Sequence, residues 1–175
     1  MSALGLLYAL LAALSYWAWA RCPVAPYLAP VLVLLSGYSD VLDGLIARLY
    51  GLSSRAGAML DSVLDRYADV AILIGIWSGG LCDPFWALLA ISGSLLVSYT
   101  RARAEGLGVS LGGVGLAERA ERIIIIIVAS LLTFRWPRAL DLAVVALAFL
   151  THLTAAQRVA CALLALRTSE PSSSS

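Results

Sequence analysis

Asp40, Asp43, Asp61 and Asp65 lie in a segment flanked on both sides by apolar sequence. A carboxylate inside a membrane helix costs roughly 2.5–3.5 kcal/mol on insertion scales. Four of them at helical spacing need a shared compensation, and a divalent cation is the one their chemistry suggests. The apolar setting is general. Of 175 residues, 61% are hydrophobic, against about 45–50% in a soluble domain. Mean hydropathy is +0.91. Long apolar stretches recur along the whole length, which points to a multi-pass protein of the cell membrane.

The turn signals divide the chain into six expected spans, at about residues 3–20, 27–50, 55–78, 85–103, 116–134 and 139–166. Each is long enough to cross a core of ~30 Å at about 1.5 Å per residue. Short turns imply antiparallel neighbours, so the expectation is an all-α bundle of six transmembrane helices. Residues 1–167 form one domain, and the Ser-rich tail at 168–175 is expected to be disordered. The N-terminus is apolar at once and lacks a basic leader, so no cleavable signal peptide is expected.

Two asymmetries orient the expected bundle. Trp17, Trp19, Trp77, Trp86 and Trp136 fall at one set of span ends, as an interfacial belt would. All 12 basic residues are Arg, and nine fall on or toward the other side: Arg48, Arg55, Arg66, Arg101, Arg103, Arg119, Arg122, Arg158 and Arg167. The positive-inside rule makes that side cytoplasmic, with both termini and the acidic cluster there. Cys22, Cys82 and Cys161 show no metal-ligand spacing and read as small apolar residues. Cys22 and Cys82 both land in outer loops, which leaves a disulfide between them open. The single histidine, His152, reads as a packing or interfacial residue.

Asp40 and Asp43 are three residues apart, Asp61 and Asp65 four apart, and each spacing puts both side chains on one helix face. A turn near Gly51 would fold the two helices antiparallel and let the four carboxylates converge. Hard oxygen ligands of this kind suit Mg²⁺, Mn²⁺ or Ca²⁺. Two such ions about 3.5–4 Å apart would clamp a phosphoryl group. Gly44 and Gly57 would let a bulky ligand approach the backbone, and Arg48 could pair with a diphosphate. Paired charges acting as helix glue, as a proton path or as a cation transporter's ligands are the alternatives.

The pattern Asp-x2-Asp-Gly-x2-Ala-Arg-x8-Gly-x3-Asp-x3-Asp at residues 40–65 resembles the signature of the CDP-alcohol phosphotransferases at all eight fixed positions. The resemblance implies transfer of the phosphatidyl-type group of a CDP-linked lipid to a second alcohol with release of CMP, and two Mg²⁺ or Mn²⁺ ions per active site. Carried over by position, it makes Asp40, Asp43, Asp61 and Asp65 the metal ligands and Asp65 the general base. Asp40, Gly44, Ala47, Arg48, Ser54, Gly57 and Asp61 would line the CDP site. Asp69, one turn beyond Asp65, is expected to support the fold. The family usually begins with a juxtamembrane helix and a Pro-Asn-x-x-Thr-like element. This sequence starts almost directly with a span, so the expectation is either a truncated start or missing nucleotide contacts from that element.

The second half bears on the acceptor. Arg101, Arg103, Arg119, Arg122 and Arg158 gather on one side, and arginine suits bidentate phosphate recognition. A solvated basic collar is the plain alternative. These segments resemble the inositol phosphate branch of the family. By position Arg101, Arg119 and Arg158 match its acceptor-phosphate site, with Arg101 standing where a lysine often occurs. The resemblance implies myo-inositol 1-phosphate as acceptor, CDP-archaeol or CDP-diacylglycerol as donor, and a homodimer, with no nucleic-acid partner. Glycerol 3-phosphate, serine and CDP-inositol chemistry are the close rivals, and the acceptor-phosphate arginines argue against serine, which has no phosphate.

Overall fold

A computed structural model describes residues 2–49 and 54–169, with side chains from 3–42 and 54–168. Six α-helices make up these residues: α1 Ser2–Trp17, α2 Ala25–Leu49, α3 Arg55–Ser78, α4 Pro84–Glu105, α5 Arg119–Thr133 and α6 Ala139–Ser169. α1 packs on both α2 and α3, α4 packs along α6, and α5 bridges the groups by touching α2 and α6. The core where they meet is built largely from small residues: Ala9, Ala12, Ala29, Ala68, Ala87 and Ala90, interleaved with Ile76, Leu140, Val144 and Leu147. Small side chains let helix backbones approach closely, which is how helices associate where apolar burial gives little drive. Outward faces stay apolar, as at Leu7, Leu14, Leu34, Leu88, Phe149 and Leu164, the pattern of a surface that meets lipid rather than water.

The bundle has six helices, but the expectation of six membrane spans is not met. Among the described residues, three helices are long and apolar enough to cross: α2 over Ala25–Leu42, α4 over Pro84–Glu105 and α6 over Ala139–Thr168. The reasons are length and charge. α1 has 16 residues and α5 has 15, or about 24 and 22 Å against a core of ~30 Å. α3 is long enough but carries Asp61, Asp65, Arg66 and Asp69 inside its last 18 residues. The sequence count treated apolar length as sufficient and took the connecting turns into the spans. Three such helices still support a multi-pass membrane protein.

Local sequence explains the starts of α3 and α4. Ser54 is the N-cap of α3, and its Oγ accepts from the Gly57 backbone N–H at 3.0 Å. Asp83 caps α4 by accepting from Phe85 N–H, with Pro84 in the first turn. Cys22, Cys82 and Cys161 are all free, so the open disulfide is not formed. His152 sets Nδ1 against the Ala148 carbonyl at 2.9 Å, in keeping with a packing residue.

Candidate active site

α2 and α3 are each held against α1, and this fixes which faces look at one another. One turn before Asp40, buried Ser36 donates to the Gly5 carbonyl of α1 at 2.8 Å. On α3, Ala68, Ile72, Leu73 and Ile76 are buried, which turns Asp61, Asp65 and Asp69 along an adjacent stripe. The result is a carboxylate cluster: one oxygen each from Asp40, Asp61 and Asp65 lies within 4.8 Å of the others. All three residues are half-buried. Asp43, Gly44, Ala47 and Arg48 belong to α2, but their side chains lie outside the described residues. Gly51 lies outside them as well.

The cluster can hold a divalent cation. Asp61 Oδ1 is buried and finds no hydrogen-bond partner among the described residues. An ionised oxygen left so is costly unless a cation meets it. Carboxylate oxygens alone are the donor set hard cations prefer.

Arg119, at the start of α5, reaches into the same cluster. It donates to Asp40, lies 2.6 Å from Asp65 Oδ1, and directs Nε to Asp69 Oδ1 at 3.4 Å. Asp69 in turn accepts from Arg122 Nη2 at 2.7 Å. Burial pushes the Asp65 carboxyl up to about 7; Arg119 opposes this, and Asp40, Asp61 and Asp69 add to it. Burial works against the Arg119 charge, but Asp69, Asp65 and Asp40 more than offset it, so its pKa lies above the ordinary value.

Beside the cluster opens a cavity of about 670 Å³ whose wall includes Asp40, Asp65, Arg101, Arg119, Arg122 and Arg158. The three arginines expected around one anion therefore share one chamber, next to the carboxylates. Arg103, named with them in the sequence, is not among its lining residues. Their environments differ. Arg101 is half-exposed and pairs with Glu105 at 2.9 Å. Arg158 is 2% exposed. It donates to the Val114 and Val97 carbonyls, both at 2.8 Å, and to Glu118 Oε1 at 3.0 Å.

Sequence reasoning did not foresee three features. Asp69 is shared by Arg119 and Arg122. Glu105 and Glu118 partner cavity arginines. Buried Thr154 accepts from the backbone N–H groups of Leu116 and Ala117 at 3.2 and 3.1 Å, pinning the residues that lead into α5. Only the i,i+4 spacing of Arg101 and Glu105 was a readable signal. The others join positions tens of residues apart.

The profile of the CDP-alcohol phosphatidyltransferase family matches residues 2–166. An archaetidylinositol phosphate synthase of Methanothermobacter thermautotrophicus is 47% identical over 129 residues, 73% of this chain and 66% of that one. The Pyrococcus horikoshii enzyme of the same name is 42% identical over 75% of this chain and 68% of its own. This chain thus spans about two thirds of the length of these relatives. The crystal structure of Mycobacterium tuberculosis phosphatidylinositol phosphate synthase with manganese and citrate superposes with a TM-score of 0.78 at 28% identity, covering 93% of this chain and 80% of that one. The same protein with CDP-DAG bound gives 0.77 at 28% identity, covering 92% and 83%. Fold, carboxylate cluster and sequence agree: the chain belongs to the CDP-alcohol phosphatidyltransferase family, in its inositol phosphate branch.

Proposed function

We propose that the protein transfers the phosphatidyl-type group of a CDP-linked lipid to myo-inositol 1-phosphate and releases CMP. The observation that carries this reading is the carboxylate cluster opening into a cavity walled by Arg101, Arg119 and Arg158. A diphosphate and a second phosphate are the ligands such a pairing suits. The archaeal relatives favour CDP-archaeol as donor, with CDP-diacylglycerol the alternative.

Asp40, Asp43, Asp61 and Asp65 are the residues to hold two divalent ions, Mg²⁺ or Mn²⁺. Bound there, such ions neutralise the diphosphate and polarise the attacked phosphorus. Gly44, Ala47, Arg48, Ser54 and Gly57, with Asp40 and Asp61, would line the CDP site. Asp65 takes the proton of the inositol hydroxyl as that oxygen bonds to the lipid-side phosphorus. The bond from phosphorus to the CMP oxygen breaks, and its electron pair leaves with CMP. Arg101, Arg119 and Arg158 orient the acceptor through its phosphate, which converts an encounter into a positioned attack. Arg158, already fixed by three bonds, would offer a preset edge and Arg101 an adjustable one. We assign the site to the cytoplasmic face on the arginine asymmetry, and a homodimer on the family resemblance.

The test is CMP release by purified protein given either CDP-lipid, Mg²⁺ or Mn²⁺, and a panel of inositol 1-phosphate, glycerol 3-phosphate, inositol and serine. Turnover with inositol 1-phosphate alone supports the reading. Turnover with unphosphorylated inositol or serine at equal efficiency would remove the role given to the arginines. Cation flux into liposomes without any CDP-lipid would favour a transporter.

A further inference from the structure

We propose that Arg119 is the internal counter-ion of the carboxylate cluster, that a divalent cation binds by displacing it from Asp40 and Asp65, and that Asp69 controls how readily it moves. This rests on reading the cluster as a cation site. It does not depend on the transferase chemistry.

The contacts carry the argument. Arg119 is bonded to two of the three carboxylates whose oxygens converge. Its side chain is 17% exposed, so water screens these pairs weakly. A cation seated among Asp40, Asp61 and Asp65 needs oxygens that Arg119 engages, and two cations sharing one small cluster repel. Asp61, whose Oδ1 has no partner among the described residues, is where a cation gains a ligand that Arg119 does not hold. Asp40 and Asp65 are where it must compete.

Asp69 decides what displacement costs. It accepts Arg119 Nε through one oxygen and Arg122 through the other. Its side chain is 14% exposed. A guanidinium released from Asp40 and Asp65 therefore keeps a half-buried anionic partner and stays at the wall of the 670 Å³ cavity. Without Asp69, Arg119 would have only the cluster to neutralise it, and would hold it harder. The arrangement also couples the two half-sites. A cation on the cluster frees Arg119 hydrogen bonds for an anion in the cavity, and linkage makes the anion favour the cation in return.

The experiment is Mn²⁺ titration of the full chain in detergent by calorimetry, checked by the electron paramagnetic resonance signal of free Mn²⁺. Arg119→Gln should tighten Mn²⁺ binding by on the order of tenfold, within the usual range of coupling between sites. Asp69→Asn should weaken it several-fold, and should change it less than about twofold when Arg119 is already Gln. Arg103→Gln removes the same charge outside the cavity lining and should leave the affinity unchanged. Equal effects of Asp69→Asn in both backgrounds would mean Asp69 acts only through its own charge, and would overturn the proposal. So would unchanged or weaker binding in Arg119→Gln.

Should Arg119→Gln not fold, Arg119→Lys decides the matter. A lysine cannot bridge Asp40, Asp65 and Asp69 with one rigid fork, so Mn²⁺ should still bind several-fold tighter, and an unchanged affinity overturns the proposal. CMP release in the same preparations separates the two readings. The expected affinity order without CMP release removes the transferase alone. CMP release with one Mn²⁺ affinity across all variants removes the counter-ion alone.

Discussion

Asp61 differs from its neighbours in having an oxygen that no described residue meets. Asp40 and Asp65 have Arg119, while Asp61 Oδ1 is buried with no partner among the described residues. Leaving a buried polar atom unsatisfied costs about 1–3 kcal/mol, more if charged. Asp61→Asn should therefore have opposite effects in two conditions. In the presence of a chelator its Tm should equal or exceed that of the unaltered protein, because an unpaired charge is gone. With Mn²⁺ added, the variant should lose the Tm increase that the unaltered protein shows. Thermal melts with and without Mn²⁺ read both. A Tm increase with Mn²⁺ that survives the substitution would remove Asp61 from the ligand set. At this scale the sequence was legible where chemistry lies in spacing: Asp61 and Asp65 at i,i+4 on one helix face. It was silent on Arg119 reaching Asp40 across 79 positions, because a contact of that separation is decided by how α5 docks. Ser54 shows a different blindness. Its hydroxyl caps α3 by accepting from Gly57, a local role that a Ser followed by a helical run signals directly and that a ligand reading passed over.

At the scale of elements, two junctions set where the site's halves stand. The first is the crossing of α1 and α3. A Cβ added at Gly75 would sit 2.5 Å from Ala13 Cα, and one at Gly79 2.1 Å from the Tyr16 carbonyl oxygen. Both obstacles are backbone and cannot rotate away, so Gly75→Ala must push the helices apart. A loss of about 1–3 kcal/mol follows from overpacking of this kind, seen as a lower Tm. Because α3 carries Asp61 and Asp65, Mn²⁺ affinity should fall with it. An unchanged Tm would mean that α1 and α3 separate freely. The second junction is the approach to α5. Thr154 accepts from two backbone N–H groups just before Arg119, and Gly115, at φ +134°, lies where a Cβ would come within 2.4 Å of Thr154 Cγ2. Thr154→Val keeps the shape and removes the acceptor, leaving the buried Ala117 N–H unpaired. It should raise KM for the acceptor at least several-fold while moving KM for the CDP-lipid little, and Thr154→Ser should restore the original value. Equal changes in both KM values would indicate general loosening instead. The Gly-rich loop was visible in the sequence as a break between helices. Its pinning to α6 was not, since nothing in the spacing of Thr154 sets it apart from other threonines in an apolar helix.

For the whole molecule, composition led correctly to a multi-pass membrane bundle and incorrectly to six spans. The sequence count tested each apolar run against membrane thickness one at a time. In the folded chain α1 and α5 are too short, and α3 carries charge, of which Asp65 and Asp69 are held by Arg119 and Arg122 within the protein. Among the described residues, three helices are long and apolar enough to cross a membrane, and the other three pack against them in the bundle. Orientation is the property of the whole that can be read independently, through its thiols. Cys22 is exposed in the turn between α1 and α2, on the Trp-bearing side, whereas Cys82 is buried. Burial and the neighbouring Asp141 and Asp83 carboxylates push the Cys82 thiol up to about 12. A thiolate is the reactive form, so Cys82 stays inert at neutral pH. In a Cys161→Ser background, a membrane-impermeant maleimide applied to intact cells should label one thiol, Cys22, and denaturation should reveal the second. An Arg103→Cys substitution, on the side of the arginine cavity, should become reactive only after the membrane is opened. Should Cys22 need permeabilised cells and residue 103 not, the arginine asymmetry would have been misread, and the carboxylate cluster would face away from the cytoplasmic nucleotide pool that its proposed donor chemistry requires.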